Sequence, residues 1–287
     1  MATIPSERTL GFIGSGNMAE AIVRGLIAGK LVGPSRIVMA DKRQDRVGEL
    51  AETLRIVPAS DNSDLLDRAD IVVLAVKPQN LDGLIEDLGL GARPEHLFIS
   101  ILAGVRSETL EGALRHQGIA EPRVVRVMPN TPALYSEGAA GISAGRFARP
   151  EDVEVAQALF DAVGVTAVVS PSLMDAVTGL SGSGPAYVFR MIEALIDAGV
   201  AQGIDRAESA RLVKQTVYGA ALMAMKAEPE EGQEPGDEVV ELRRRVTSPG
   251  GTTERGIATL DERGFAETIG ACVDAARRRS VELGGFR

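Results

Sequence analysis

The chain has 287 residues, a formal net charge of −9 and one cysteine. The length indicates about two domains, and the acidic excess disfavours nucleic acid or an anionic membrane surface as a partner, because both require a basic face. The sequence has no apolar run of the roughly 18 residues that cross a membrane. A lone Cys272 excludes an intrachain disulfide, and its small apolar neighbours predict a buried packing position. We therefore expect a cytoplasmic protein.

Short apolar runs alternate with helical patterns through the first half of the chain. Strands without polar alternation are buried on both faces, as in a parallel sheet covered by helices. The pattern predicts an α/β fold that begins with a doubly wound, Rossmann-type nucleotide-binding domain. The predicted strands are residues 10–13, 36–40, 71–76, 97–101, 124–127 and, last, 165–169.

The second half of the chain has helical patterns only, at residues 186–202, 206–226 and 266–283. We place the boundary near residue 170, which gives a dinucleotide-binding domain of residues 1–170 and an all-α domain of residues 171–287. An acidic segment at residues 227–238 contains two prolines and two glycines, and it is expected to be a loop.

A glycine-rich turn follows the first predicted strand and opens a helix. It reads Gly14-Ser15-Gly16-Asn17-Met18-Ala19 and fits the G-x-G-x-x-A pattern of dinucleotide sites. Gly14 permits the tight turn, and Gly16 lets the backbone approach a pyrophosphate. The N–H groups of the helix start would then face the phosphates.

The second predicted strand ends at Asp41-Lys42-Arg43. An acid at this point binds the ribose hydroxyls of NAD, whereas cations accept the additional phosphate of NADP. Asp41 favours NADH, and Lys42 with Arg43 favours NADPH. We expect NADPH as the cofactor and keep NADH open.

The acid–base inventory of the chain is small. His96 and His116 are both predicted to lie at the surface, and the sequence has neither a Tyr–Lys pair at helical spacing nor a cluster typical of a metal site. This suits a substrate that is already activated, such as a protonated cyclic imine, for which the protein mainly binds, orients and excludes water.

Three later segments combine small and turn-forming residues. They are residues 128–132 (MPNTP), 180–187 (LSGSGPAY) and 246–253 (VTSPGGTT). The last precedes a helix, so its N–H groups and hydroxyls could form an anion nest that accepts a substrate carboxylate. Each segment taken alone is better explained as a helix cap or a tight turn.

Together with residues 12–19 and 75–78, these segments resemble the pyrroline-5-carboxylate reductase family over nearly the whole chain. The resemblance implies reduction of 1-pyrroline-5-carboxylate to L-proline, and a homodimer, or a larger homo-oligomer, joined through the helical domains. It further implies that the loop before the helix serves the nucleotide domain of the partner.

The resemblance also assigns roles to single residues. Thr253 would be catalytic, with its hydroxyl on the ring nitrogen, and Ser248, Gly251 and Thr252 would bind the substrate carboxylate. The expected substrate-binding residues are Ser248, Gly250, Gly251, Thr252 and Thr253. The expected cofactor residues are Gly14, Ser15, Gly16, Asn17, Met18, Asp41, Lys42, Arg43, Asn62, Ala75, Val76, Lys77, Pro78 and Asn130. No metal ligand is expected.

One position departs from the family pattern, because Arg244 stands where many relatives carry an acid. Two other functions remain open on the same architecture. A β-hydroxyacid dehydrogenase would need a catalytic lysine on the helix at residues 186–202, which contains none. A non-catalytic nucleotide-binding regulator would not need the motif at residues 248–253.

Overall fold

The structure is a computed structural model that describes residue 4 and residues 7–89 and 91–285, without the side chains of residues 78 and 285. Within these residues, eight strands form one sheet in the order β3-β2-β1-β4-β5-β6-β7-β8. The strands are β1 Leu10–Ile13, β2 Ile37–Ala40, β3 Val57–Pro58, β4 Ile71–Leu74, β5 Leu97–Ser100, β6 Arg123–Met128, β7 Gly138–Ala144 and β8 Gly164–Val168.

The helices follow the strands and then replace them. They are α1 Asn17–Ala28, α2 Gln44–Leu54, α3 Asn62–Arg68, α4 Leu81–Leu88, α5 Ser107–His116, α6 Pro150–Asp161, α7 Met174–Val177, α8 Gly184–Ala201, α9 Arg206–Lys226, α10 Asp237–Arg245, α11 Thr252–Glu262 and α12 Phe265–Gly285. The predicted fold class, a Rossmann-type domain followed by an all-α region, is confirmed.

The parallel strands β1, β2, β4 and β5 are buried on both faces, as their continuous apolar runs predict, whereas the last strand, β8, is largely exposed. Leu10 and Phe12 point into a core shared with α1, α2 and α6, whereas Ile13 points to the opposite core, which α3, α4 and α5 cover. Burying one such side chain contributes about 1.5–3 kcal/mol. The residue between Leu10 and Phe12 is a glycine, Gly11, because a Cβ there would come within 2.6 Å of Leu65 Cδ2 on α3.

Two strands escaped the sequence analysis. β3 has only two residues, and β7 has the sequence GAAGISA, whose small residues have little strand preference. Strand β7 runs antiparallel to β6 and parallel to β8, so the last two strands run in the direction opposite to the other six.

The predicted loop at 227–238 is shorter in the structure, since Asp237 and Glu238 already belong to α10. Arg244, exposed on this helix, pairs with Glu241 at 3.8 Å.

Two predictions about single side chains are wrong. His96 is buried, with Nδ1 accepting from the Arg93 N–H at 3.0 Å and Nε2 3.1 Å from the Leu66 carbonyl oxygen. Burial, with the Arg93 charge, lowers the pKa of His96. Cys272 is exposed rather than buried. His116 is exposed, as predicted.

The chain divides into two compact units, Met1–Pro185 with Val273–Arg287, and Ala186–Cys272. The predicted domain boundary near residue 170 stays a prediction. The second unit, the helical unit below, has an unusual surface. All of its residues are described, and Ser209 alone is buried. The unit therefore has no buried apolar core of its own.

Candidate functional site

The ends of three central strands are joined at the glycine turn. The Gly14 N–H donates to the Ala40 carbonyl at the end of β2, and the Ala75 N–H donates to the Ile13 carbonyl at the end of β1, both at 2.8 Å. Gly14 has φ +108°, and a Cβ on it would lie 2.6 Å from the Ala75 carbonyl oxygen. Only glycine fits this close approach of two backbones.

Gly16 differs from Gly14 in its surroundings. It is the N-cap of α1, and a Cβ on it would meet no protein atom within 4 Å. The fold itself therefore does not require glycine here. The open space lies beside the first N–H groups of α1, which is where a phosphate would approach the helix N-terminus.

Asp41 stabilises the glycine turn through hydrogen bonds to its carboxylate. Its Oδ2 accepts from the Ser15 N–H at 2.7 Å and from the Ser15 hydroxyl at 2.8 Å, and its Oδ1 accepts from the Arg43 N–H at 2.9 Å. Partial burial opposes ionisation, but these hydrogen bonds and the Arg43 charge outweigh it and lower the pKa of Asp41. The carboxylate is thus turned toward the glycine loop.

A cavity of about 430 Å³ opens at this edge of the sheet. It brings together nine of the predicted cofactor residues, namely Gly14, Gly16, Asp41, Lys42, Arg43, Asn62, Ala75, Val76 and Lys77. A neighbouring cavity of about 480 Å³ shares Asp41, Lys42, Asn62 and Asp87 with it. The position fits the general rule that α/β proteins bind ligands where the strand order reverses, here between β1 and β4.

The other predicted cofactor residues lie around or away from this cavity. Ser15 is buried under the turn, Asn17 is exposed at the start of α1, and Met18 packs against the core. Pro78 begins a short 3-10 turn, and its side chain lies outside the described part of the chain.

Four cavity residues were not among the predicted cofactor residues, namely Ile13, Asn80, Leu84 and Asp87. Asp87 accepts a hydrogen bond from the Asn62 amide at 2.8 Å, which orients that side chain. Its position in the last turn of α4 carries no sequence signal for this contact.

Asn130 lies in the connection between β6 and β7 and joins two segments. Its side-chain oxygen accepts from the Ala139 N–H at 2.9 Å, and its Nδ2 donates to the Ser181 carbonyl at 3.1 Å. Ser181 belongs to a π-helical turn, Thr178–Gly182. Asn130 therefore links the motif MPNTP with the motif LSGSGPAY.

The loop before α11 contains the predicted substrate residues. Gly250 has φ +71°, and the extended Gly251 is the N-cap of α11. The Gly251 N–H donates to the Ser248 carbonyl at 3.0 Å. A Cβ on Gly251 would lie 2.5 Å from the Ser248 hydroxyl and 2.9 Å from its carbonyl oxygen, so this turn needs a glycine.

This loop already holds a carboxylate. The Gly250 N–H donates to Glu254 Oε2 at 2.7 Å. Glu254, which the sequence analysis did not single out, thus occupies one of the donors expected to bind a substrate carboxylate.

The Thr253 hydroxyl is free. Several helical threonines donate to the carbonyl four residues earlier, among them Thr216 at 2.9 Å and Thr259 at 3.0 Å. Within the described residues, the Thr253 hydroxyl has no such partner and makes no other hydrogen bond. It is therefore available to a ligand.

The strand order and the cavity at the glycine turn define a Rossmann-type dinucleotide-binding protein. Residues 171–283 match the family described as pyrroline-5-carboxylate reductase dimerisation, and residues 9–104 match NADP oxidoreductase coenzyme F420-dependent.

Curated relatives give the same family. The chain is 45% identical to a pyrroline-5-carboxylate reductase of Methanosarcina acetivorans, with 97% of this chain and 98% of the relative covered. It is 43% identical to one of Synechocystis, with 96% and 98% covered. The chain belongs to the pyrroline-5-carboxylate reductase family.

Solved structures agree. A pyrroline-5-carboxylate reductase of Coxiella burnetii superposes with a TM-score of 0.86 at 38% identity, covering 96% of this chain and 98% of that one. The Plasmodium falciparum pyrroline carboxylate reductase, solved with NADP bound, gives a TM-score of 0.79 at 30% identity, covering 97% of this chain and 99% of that one.

Among the helices of the described residues, none has an apolar stretch of the length that spans a bilayer.

The two glycines of the turn give a matched test of cofactor binding. We expect Gly16→Ala to fold normally and to raise the KM for NADPH about tenfold or more, since its methyl group meets only the ligand; tenfold corresponds to about 1.4 kcal/mol. We expect Gly14→Ala to lower the Tm, because its Cβ meets the Ala75 carbonyl. Calorimetry and steady-state kinetics measure both, and an unchanged KM in Gly16→Ala would place the pyrophosphate elsewhere.

A second prediction concerns the loop before α11. We expect Gly251→Val to raise the substrate KM at least about tenfold, because the side chain collides with Ser248 and displaces the loop. Gly256→Ala is the control, since a Cβ there meets nothing within 4 Å. Equal KM values for the two variants would mean that the carboxylate binds outside this loop.

Proposed function

We propose that the protein reduces the C=N bond of 1-pyrroline-5-carboxylate with NADPH, or with NADH as an alternative donor, to give L-proline, the last step of proline biosynthesis. The observation that carries the proposal is the loop before α11. It holds the Glu254 carboxylate on the Gly250 N–H and leaves the Thr253 hydroxyl unpaired three residues beyond. A cyclic imine with a carboxylate group presents the two functions that these groups recognise.

The nucleotide cavity fits a dinucleotide. Gly16 leaves space for the pyrophosphate at the start of α1, and Asn62 with Lys77 lines the same cavity. Oδ2 of Asp41 accepts from Ser15 and Oδ1 accepts from the Arg43 N–H, so both oxygens are occupied, whereas Lys42 and Arg43 line the cavity. This arrangement favours NADPH over NADH.

The reaction requires little from the protein beyond binding and orienting the substrate and the cofactor. Bound NADPH supplies the hydride. The N–H groups of the loop, with Ser248 and Thr252, hold the substrate carboxylate in place of Glu254. The Thr253 hydroxyl accepts a hydrogen bond from the protonated ring nitrogen. Hydride addition to an iminium leaves a neutral amine, so no strong acid is required, which agrees with the buried His96.

We propose a homodimer, or a larger homo-oligomer, assembled through the helical unit. The support is the apolar surface of that unit, where Phe189 is 59% exposed, Leu212 55% and Met225 73%. Exposed apolar surface of this kind marks an interface, and a symmetric pairing would cover the same face on both copies. A cytoplasmic location and the absence of membrane or nucleic-acid partners stay predictions.

The activity is tested by mixing the protein with 1-pyrroline-5-carboxylate and either NADPH or NADH, and following the absorbance of the reduced nicotinamide. We expect oxidation with both, faster with NADPH, and formation of proline. A β-hydroxy acid with NADP serves as the competing substrate. Turnover of the hydroxy acid alone would favour a β-hydroxyacid dehydrogenase, and cofactor binding without any turnover would favour a regulator.

The role of Thr253 is tested by Thr253→Val, which keeps the shape of the side chain. We expect kcat to fall about 10- to 100-fold, the effect of losing one hydrogen bond to a charged group, with little change in the KM for NADPH. Thr259→Val on the same helix removes a hydroxyl that bonds only the Arg255 carbonyl and should keep the wild-type kcat. Unchanged kinetics in Thr253→Val would remove Thr253 from the mechanism.

The assembly is tested by Phe189→Asp on α8. We expect the wild-type protein to elute at twice 30.2 kDa or more and the variant to shift toward the monomer, since a charge in an apolar interface is costly. Leu31→Asp places the same charge at a residue that is 41% exposed outside the helical unit and should leave the assembly intact. A wild-type monomer at micromolar concentration would contradict the proposal.

A further inference from the structure

Another polar cavity lies in the unit formed by Met1–Pro185 and Val273–Arg287, the nucleotide-binding unit below. It shares no lining residue with the two cavities at the glycine turn. Its volume is about 600 Å³, within the range of small-molecule sites. Its walls come from β6, β7, the start of α5, α7 and α12. The proposed reaction uses none of these residues.

Arg126 is the main feature of this cavity. It is 5% exposed, and its Nη2 is buried without a hydrogen-bond partner. Burial lowers the pKa of the Arg126 guanidinium, and the charge of Asp175 opposes that shift. No acidic residue in the described part of the chain lies within ion-pair distance of Arg126. A buried, unpaired guanidinium is costly unless a ligand completes it.

Ser143 points into the same space. It lies directly opposite Arg126 in the antiparallel pairing of β6 and β7, so both side chains emerge on one face of the sheet. Ser143 is 1% exposed, and its hydroxyl oxygen has no partner. Two neighbouring buried groups thus lack hydrogen bonds, which indicates a common missing partner.

The start of α5 adds donors for an anion. Ser107 is the first residue of this ten-residue helix and, like Arg106 before it, lines the cavity. The first N–H groups of a helix lack intrahelical acceptors and carry the positive end of the dipole. A carboxylate beside Arg126 would therefore meet a guanidinium, a hydroxyl and a helix N-terminus.

The opposite charge is also present. Glu108 and Asp175 line the cavity, and Asp175 is fixed by the Ser280 hydroxyl, which donates to Oδ1 at 2.7 Å. The two acids balance the charges of Arg106 and Arg126. A multiply charged phosphate would be repelled by the acids, whereas a ligand that carries both signs would satisfy each group.

We propose that this cavity binds a free amino acid as a zwitterion. The carboxylate of the ligand lies against Arg126, Ser143 and the start of α5, and its ammonium group faces Asp175. The cavity shares no lining residue with the nucleotide cavity or with the loop before α11, so its occupant is distinct from the cofactor and the substrate of the proposed reaction.

The test measures the Tm of the full-length protein by scanning calorimetry with glycine, L-alanine, L-serine, L-glutamate or L-arginine. L-Proline is omitted because it is the product of the proposed reaction, so the result does not depend on that function. Sodium acetate with methylammonium chloride at equal concentration is the control for the separate charges. We expect at least one amino acid to raise the Tm in a saturable manner, and the mixture not to do so.

Variants tie the effect to the cavity. Arg126→Met should abolish the Tm rise, Ser143→Ala should weaken the Kd about two- to tenfold, and Asp175→Asn should weaken it further. Arg24→Met, on α1, should respond like the wild type. If Arg126→Met does not fold, the other two variants decide. The proposal is overturned if no amino acid raises the Tm beyond the control mixture, or if the cavity variants respond like the wild type.

Discussion

The close approach of two backbones, at Gly14 and Ala75, is the constraint on which the nucleotide site depends. Only a residue without a Cβ permits it, and the hydrogen bonds from Gly14 to Ala40 and from Ala75 to Ile13 hold the ends of β1, β2 and β4 together. With these strand ends fixed, the residues that follow each of them line one cavity. The glycine turn, the acid–cation segment after β2 and the segment after β4 are thus positioned by the same contact.

Asp41 stabilises the glycine turn. Its Oδ2 accepts hydrogen bonds from Ser15, and its Oδ1 accepts one from the Arg43 N–H. Because the pKa of Asp41 is lowered, its stabilising contribution is complete above the ordinary aspartate range near 3.9 and is lost only as the pH falls through the lower value in the folded state. The turn is therefore insensitive to pH near neutrality.

The helical unit obeys a different constraint. The nucleotide-binding unit buries its apolar strands under two layers of helices, whereas residues 186–272 leave their apolar side chains exposed. Amphipathic helices without a core are stable only when another surface covers them. This accounts for the long, uninterrupted helices α8 and α9 and for a sequence that is apolar yet lacks a buried centre.

Much of the first unit is predictable from sequence, because strands buried on both faces leave continuous apolar runs and the glycine turn has a fixed spacing. Strand β7 was missed because small residues carry neither period nor propensity. His96 is buried where its Nε2 lies beside the Leu66 carbonyl, 30 residues away, which local sequence does not show. Cys272 is exposed because its helix face is uncovered, which local sequence does not show either. The carboxylate of Glu254 on the Gly250 N–H likewise follows from loop geometry rather than composition.

The most direct test of the account follows the hydride itself. The protein is incubated with 1-pyrroline-5-carboxylate and NADPH carrying two deuterium atoms at the nicotinamide C4, and the product is analysed by mass spectrometry. The account predicts proline with one deuterium on the ring carbon that formed the C=N bond of the substrate. Unlabelled proline, or label in any other product, would contradict direct transfer to the imine.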